Sequence, residues 1–221
     1  NYTYVTCASE ATKKIYAEAF GTPPEKIRVI GMPRLDYITA DSPEKAKAGR
    51  EIIEKYPQLT EKINILYAPT FRNNGTIKLN EIIDTVDFNK YNVIVKAHIL
   101  SSDKPEDSRI IFSDDCIFDL FCAEDYVVTD YSAVSFEAAA AGKKLFFYTY
   151  DIDEYTKSRG LNIDPCAEYP QISFKSFADI YSVIESGAYV YDALQSFRSK
   201  YIETDDGKCC ERIAETLLNQ R

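Results

Sequence analysis

Short apolar runs that alternate with helix-like stretches constrain this chain more than any other feature. Strand-like runs fall at residues 4–7, 27–30, 63–67, 91–96, 109–112, 126–129 and 145–148. Helical patterns fall between them at 10–20, 43–55, 117–123 and 132–141, with a short amphipathic helix presenting Ile82, Ile83 and Val86 on one face. Strands that alternate with helices need crossover connections, which make a parallel sheet. The strand runs are continuously apolar rather than alternating, as strands covered on both faces should be. The fold class is therefore α/β: a Rossmann-like parallel sheet with helices on both faces.

The expected organisation has three parts. Residues 1–25 form an interdomain segment or a first βα unit. Residues 26–170 form a Rossmann-like nucleotide-binding domain, and residues 171–221 a C-terminal helical segment packing on that domain. From Phe174 onward the pattern is helical, with breaks near Gly187 and Gly207. The chain's 221 residues, 45% of them hydrophobic, suffice for such a core. It begins at Asn1 in mid-pattern and reads as a piece of a longer protein.

Composition removes several classes. A net charge of -9 argues against a nucleic-acid partner, which would call for a basic surface. Six Cys with no CxxC pair and a single His give no zinc-ligand spacing, so no metal site is assigned and the thiols read as reduced and cytosolic. No apolar run approaches the roughly 20 residues that span a bilayer. Membrane contact is expected only through parts of the protein outside this chain.

In open α/β sheets ligands bind beyond the carboxyl ends of the strands, and the suggestive residues lie there. Thr129-Asp130-Tyr131-Ser132-Ala133-Val134-Ser135 carries a strand end, hydroxyl groups and a helix start, where free N–H groups attract phosphate. Ser132 as a plain N-cap is the competing reading. His98, after the 91–96 strand, can protonate or hydrogen-bond a leaving phosphate, or simply close a loop; Lys96 shares its face. Tyr67-Ala68-Pro69-Thr70-Phe71-Arg72 offers a hydroxyl and a guanidinium suited to bidentate phosphate contact, or a surface Arg in a turn marked by Asn73-Asn74-Gly75. Arg34 and Asp36, in the loop after the second strand, can pair with each other and fix that loop. Tyr155 and Arg159 follow the acidic 151–154 stretch, where Arg159 is a second anion ligand or part of a solvated helix. No GxGxxG or Walker pattern is present.

Taken in order, Gly31-Met32-Pro33-Arg34-Leu35-Asp36, the 66–72 motif, Lys96-Ala97-His98, Thr129-Asp130-Tyr131-Ser132, and Tyr155 with Arg159-Gly160 resemble the C-terminal half of the CDP-glycerol:poly(glycerophosphate) glycerophosphotransferase family. The resemblance implies a glycosyltransferase-B architecture whose donor nucleotide sits mostly on this half. It implies that His98 meets the donor's phosphates as the catalytic residue. Thr70, Arg72, Lys96, Asp130, Ser132, Ser135 and Arg159 would then form the substrate-binding set. The chain departs from the family pattern at Ile99, Ala133, Glu137 and Gln171, which leaves CDP-ribitol or another activated polyol open.

The implied activity is transfer of glycerol phosphate from CDP-glycerol to a growing teichoic-acid-like polymer, with CMP released and no cofactor. The acceptor is lipid-linked and reached through a missing N-terminal domain. The parent protein is expected in the cytoplasm, at the inner face of the cell membrane. Two rivals stand beside this reading: a nucleotide-sugar glycosyltransferase of the same fold, and a non-catalytic nucleotide-binding module.

Overall fold

The computed structural model describes residues 2–72, 77–96 and 107–218. Strand β1 (Val5–Cys7), helix α1 (Glu10–Ala19) and strand β2 (Ile27–Val29) form a parallel βαβ unit, with Val5 opposite Ile27 and Cys7 opposite Val29. Ser9 starts α1 by accepting the Thr12 N–H at 3.3 Å. Helices α2 (Pro33–Thr39) and α3 (Pro43–Lys55) follow. Ser42 caps α3 by accepting the Lys45 N–H at 3.1 Å, and Pro43 occupies the first helical position, where a missing N–H costs nothing.

The main sheet is built from β3 (Ile63–Ala68), β4 (Tyr91–Val95), β5 (Ile110–Phe112), β6 (Tyr126–Thr129), β7 (Lys144–Tyr148) and β8 (Ser173–Phe174). All neighbours are parallel, in the order β5-β4-β3-β6-β7-β8. The crossovers and flanks hold α4 (Leu79–Thr85), α5 (Ile117–Leu120), α6 (Val134–Ala140), α7 (Ile152–Arg159) and α8 (Pro165–Glu168), and the chain closes with α9 (Phe177–Ser186), α10 (Tyr191–Tyr201) and α11 (Cys209–Leu218).

Alternation along β7 shows how both faces are covered. Phe147 turns to Phe197 of α10, with ring centres 5.5 Å apart, whereas Tyr148 turns to Phe177 of α9 at 5.9 Å. Helix α6 packs between the sheet and α10, and its run of Ala138, Ala139 and Ala140 is buried, letting it lie close to the strands. The α/β class read from the sequence is the one observed.

Several local expectations need correction. Among the described residues the first two strands form a two-stranded sheet of their own, apart from the six-stranded one. The loop expected at residues 33–36 is the start of α2, because Pro33 takes its first-turn position. The acidic stretch at residues 151–154 is not a loop but the start of α7, in keeping with the helix alternative for Arg159; its first turn carries Asp153 and Glu154 and its last Lys157 and Arg159. The carboxy-terminal region is not wholly helical from Phe174, since β8 ends there and extends the sheet by pairing Phe174 with Tyr148. The Asn73-Asn74-Gly75 turn and His98 lie outside the described residues.

Gly31 joins β2 to α2 with φ of +98°. A Cβ there would stand 2.8 Å from Thr204 Oγ1, 3.1 Å from Thr204 O and 3.2 Å from Cys209 Cβ. Gly31→Ala should therefore cost roughly 2–4 kcal/mol, from backbone strain and overpacking together. Urea denaturation measures it, and an unchanged midpoint would show that the carboxy-terminal segment shifts without cost.

Candidate functional site

Parallel pairing sets the ends of three strands side by side. Ala68 lies opposite Thr129, and Thr129 opposite Phe147. The residues that follow β3, β6 and β7 therefore emerge together on one edge of the sheet. Asp130, 1% exposed, accepts the Thr70 N–H at 2.9 Å, the Thr70 hydroxyl at 2.5 Å and Arg72 Nη2 at 2.7 Å. Arg72 spans onward to Asp151, donating from Nε to Oδ2 at 2.6 Å and from Nη2 to Oδ1 at 3.1 Å, while Nη1 donates to Thr70 O at 2.8 Å. One guanidinium thus ties three loops together.

Aromatic rings close around it. The Arg72 guanidinium carbon lies 4.9 Å from the Tyr155 ring centre and 5.5 Å from that of Tyr131. These two rings pack 4.2 Å apart, and the Tyr131 hydroxyl donates to Asp151 at 3.2 Å. Burial alone would make Arg72 easier to deprotonate, but its hydrogen bond to Asp151 and the charge of Asp130 outweigh it and hold the guanidinium firmly charged. Burial, and after it Asp151, pushes the Tyr131 phenol well above its ordinary range.

Beside this cluster opens a cavity of about 330 Å³. Asp130 and Ser132 line it from the β6–α6 connection, Ser135 from the first turn of α6 and Arg34 from α2, and Phe136, Phe147 and Phe197 form part of an apolar wall. Helix α6 starts at Val134, and the Ser132 hydroxyl accepts the Val134 N–H at 3.3 Å, so Ser132 does help to cap the helix. The Ser135 hydroxyl donates to Ser132 O at 2.8 Å, which leaves its oxygen as an acceptor.

The residues singled out in the sequence therefore separate. Thr70, Arg72 and Asp130 form one network, and Asp130, Ser132 and Ser135 reach the cavity. Arg72 does not line the cavity; its donors are directed at two carboxylates and a carbonyl, which is the geometry of a strut rather than of an open phosphate clamp. Lys96 follows the last residue of β4 and does not line the cavity. Arg159 ends α7 with its guanidinium 5.8 Å from the Tyr155 ring centre.

The pairing of Arg34 with Asp36 does not occur. Arg34 Nε meets Glu137 Oε1 at 2.9 Å, whereas Asp36 accepts the N–H groups of Cys209 at 2.9 Å and Cys210 at 2.8 Å, capping α11 from another element. Burial works against the Asp36 charge, but these two donors prevail and draw its pKa below the ordinary range. Sequence reasoning missed Asp151 and Glu137. Asp151 carried a signal, since it follows β7 as Asp130 follows β6.

Among the described residues no cluster of three or more His, Cys, Asp or Glu could hold a metal ion, and no helix is long and apolar enough to cross a membrane.

Known proteins are similar to this chain in sequence and in shape. A teichoic acid poly(ribitol-phosphate) polymerase of Bacillus spizizenii is 31% identical over 99% of this chain and 38% of its own length. A teichoic acid glycerol-phosphate primase of Bacillus subtilis is 28% identical over 99% of this chain and 58% of its own length. The solved structure of the wall teichoic acid polymerase TagF superposes with a TM-score of 0.78 at 22% identity, covering 99% of this chain and 58% of that one. A UDP-GlcNAc 2-epimerase from Neisseria meningitidis shares the fold more distantly, with a TM-score of 0.63 at 15% identity over 98% of this chain and 62% of that one. The chain thus spans roughly two-fifths to three-fifths of the curated relatives' length. The profile of one family matches residues 1–219, and on that match together with the poly(ribitol-phosphate) relative the chain belongs to the CDP-glycerol:poly(glycerophosphate) glycerophosphotransferase family.

Proposed function

We propose that this chain is the donor-holding part of an enzyme that transfers a polyol phosphate, glycerol phosphate in the first instance, from its CDP-activated form to a growing teichoic-acid-like polymer. The observation that carries the reading is the cavity at the carboxyl ends of β6 and β7, where hydroxyl groups and a cation sit beside an apolar wall, in a chain matched by the family along its length. Such a cavity suits a nucleotide: a few convergent polar groups for phosphate, apolar surface for the rest.

In the proposed reaction an acceptor hydroxyl attacks the phosphorus that carries the polyol. The new P–O bond forms as the bond to the bridging oxygen breaks; the acceptor hydroxyl gives up its proton to solvent, and CMP leaves with the bonding electrons. Positioning and charge stabilisation supply most of the catalysis in such transfers. The Ser132 hydroxyl, and that of Ser135 on turning from Ser132 O, would hold the donor phosphates, on a loop fixed from below by Asp130, Thr70 and Arg72. His98 is proposed as the proton donor to the departing phosphate, with Lys96 and Arg159 as flanking cations. A His98→Ala variant of the complete enzyme with normal turnover would remove it from that role. No metal is invoked in these steps.

The lipid-linked acceptor is proposed to be met by parts of the protein beyond this chain, which would also bring it to the inner face of the membrane. Ribitol phosphate is the second reading for the transferred group, because the ribitol-phosphate polymerase is slightly more similar than the glycerol-phosphate primase. Calorimetric titration with CMP, CDP-glycerol, CDP-ribitol, UDP and inorganic phosphate separates these readings. Preference for the cytidine nucleotides is expected. Preference for UDP would transfer the site to nucleotide-sugar chemistry, and absence of any nucleotide binding would sink the donor assignment.

A further inference from the structure

Among the described residues that line the 330 Å³ cavity, Arg34 is the one Lys or Arg side chain. The single carboxylate in the same lining, Asp130, is already satisfied by Thr70 and Arg72. The charge that an entering anion meets is therefore set largely by Arg34. Its side chain is 43% exposed, and its Nε is held by Glu137, whose own side chain is 6% exposed. The Glu137 contact is an ion pair, and the one side-chain hydrogen bond made by the Arg34 guanidinium among the described residues is a long contact from Nη2 to the Met32 sulfur at 3.7 Å. Arg72 presents the opposite arrangement: it is buried, with Nε and Nη2 on two carboxylates.

Local structure aims Arg34 in this direction. Pro33 opens α2, which places Arg34 in the first helical turn facing α6, and α2 packs against α6. Glu137 lies one turn into α6, beyond Ser132 and Ser135. An arginine anchored through Nε keeps its planar fork oriented, so little side-chain entropy is lost when it takes a second anion.

We propose that Arg34 is the principal phosphate ligand that this chain offers to the donor, and that Glu137 is the positioning residue that orients it. The proposal rests on the reading of the cavity as a nucleotide-donor site. It exchanges the roles of two of the three arginines weighed from the sequence: Arg34 binds, and Arg72 holds the scaffold.

The test is titration of the wild-type chain, Arg34→Lys, Arg34→Gln and Arg34→Gln/Glu137→Gln with CMP and CDP-glycerol, with cytidine as a phosphate-free competitor. The double variant removes the buried carboxylate that Arg34→Gln would leave alone, and melting curves confirm that each variant is folded. Loss of a charge-assisted phosphate contact should weaken CMP and CDP-glycerol by about 10- to 100-fold. Cytidine competition should be unchanged, and the salt dependence of CMP binding should flatten. Arg34→Lys should recover part of the affinity. If the wild type binds CMP and the folded Arg34 variants bind it equally well, the role of Arg34 is overturned while the donor site stands. An equal loss for cytidine and CMP also overturns it, because the damage would then be to the cavity as a whole. If the wild type binds no nucleotide, the donor reading falls and the role of Arg34 with it.

Discussion

Arg72→Ala should destabilise the chain by roughly 3–5 kcal/mol, the usual cost of leaving buried carboxylates without their counter-ion. Asp130 is 1% exposed, so water cannot replace the lost guanidinium there, and Asp151 loses both of its contacts from the same side chain. In a chain of this size that should lower the melting temperature by roughly 6–20 °C. Arg72→Lys should recover only part, because an ammonium on a flexible stem cannot serve Asp130, Asp151 and Thr70 O together. Adding Asp151→Asn to Arg72→Ala should cost less than Asp151→Asn costs alone, since the aspartate's main partner is already gone. Urea denaturation of the four proteins gives the coupling. Additive single effects would show that Arg72 and Asp151 do not act as a unit. If Arg72→Ala fails to fold, Asp151→Asn and Arg72→Lys still report on the strut.

That network marks the boundary of what sequence reading reached. The 126–129 strand and the 43–55 helix were legible because each carries its own local signal: an apolar run for β6, and Ser42 with Pro43 at the start of α3. Helix α2 carries a start signal in Pro33 at its first position, although the stretch is expected as a loop. Strand β8 is two residues long, too short for any periodicity to register. The site residues were located by the rule that ligands gather beyond strand ends, and that rule did place Thr70, Arg72, Asp130, Ser132 and Ser135 in one region. It could not assign their partners. Arg72 meets Asp130 58 residues away and Asp151 79 residues away, because β3, β6 and β7 are neighbours in the sheet. Strand order is set by how the crossovers pack, and no local pattern records it. The same holds for Arg34, whose partner Glu137 is brought to it by the packing of α2 on α6, whereas sequence proximity suggested Asp36.

A second large effect lies at the other end of β6, away from the cavity, and it depends on pH. Glu124 is 4% exposed just before the strand begins, and neither of its carboxylate oxygens has a hydrogen-bond partner. Lys143 Nζ stands 3.4 Å from Oε1, near enough for attraction but without hydrogen-bond geometry. Burial therefore dominates and, with Lys143 opposing it, pushes the Glu124 pKa from its ordinary value near 4.5 up to about 8. The folded state then holds this proton more tightly than the unfolded state does. The stability linked to it is fully present below pH 4.5 and is lost as the pH rises through about 8. Over that window the loss is on the order of 5 kcal/mol. Glu124→Gln keeps the shape and cannot ionise, so it should match the wild type near pH 5 and exceed it by a few kcal/mol at pH 9. Urea unfolding of both proteins at the two pH values isolates this group, because every other titrating residue is shared between them. Parallel pH profiles would mean that Lys143 keeps Glu124 charged throughout, and the gain expected from removing the charge would then turn into a loss.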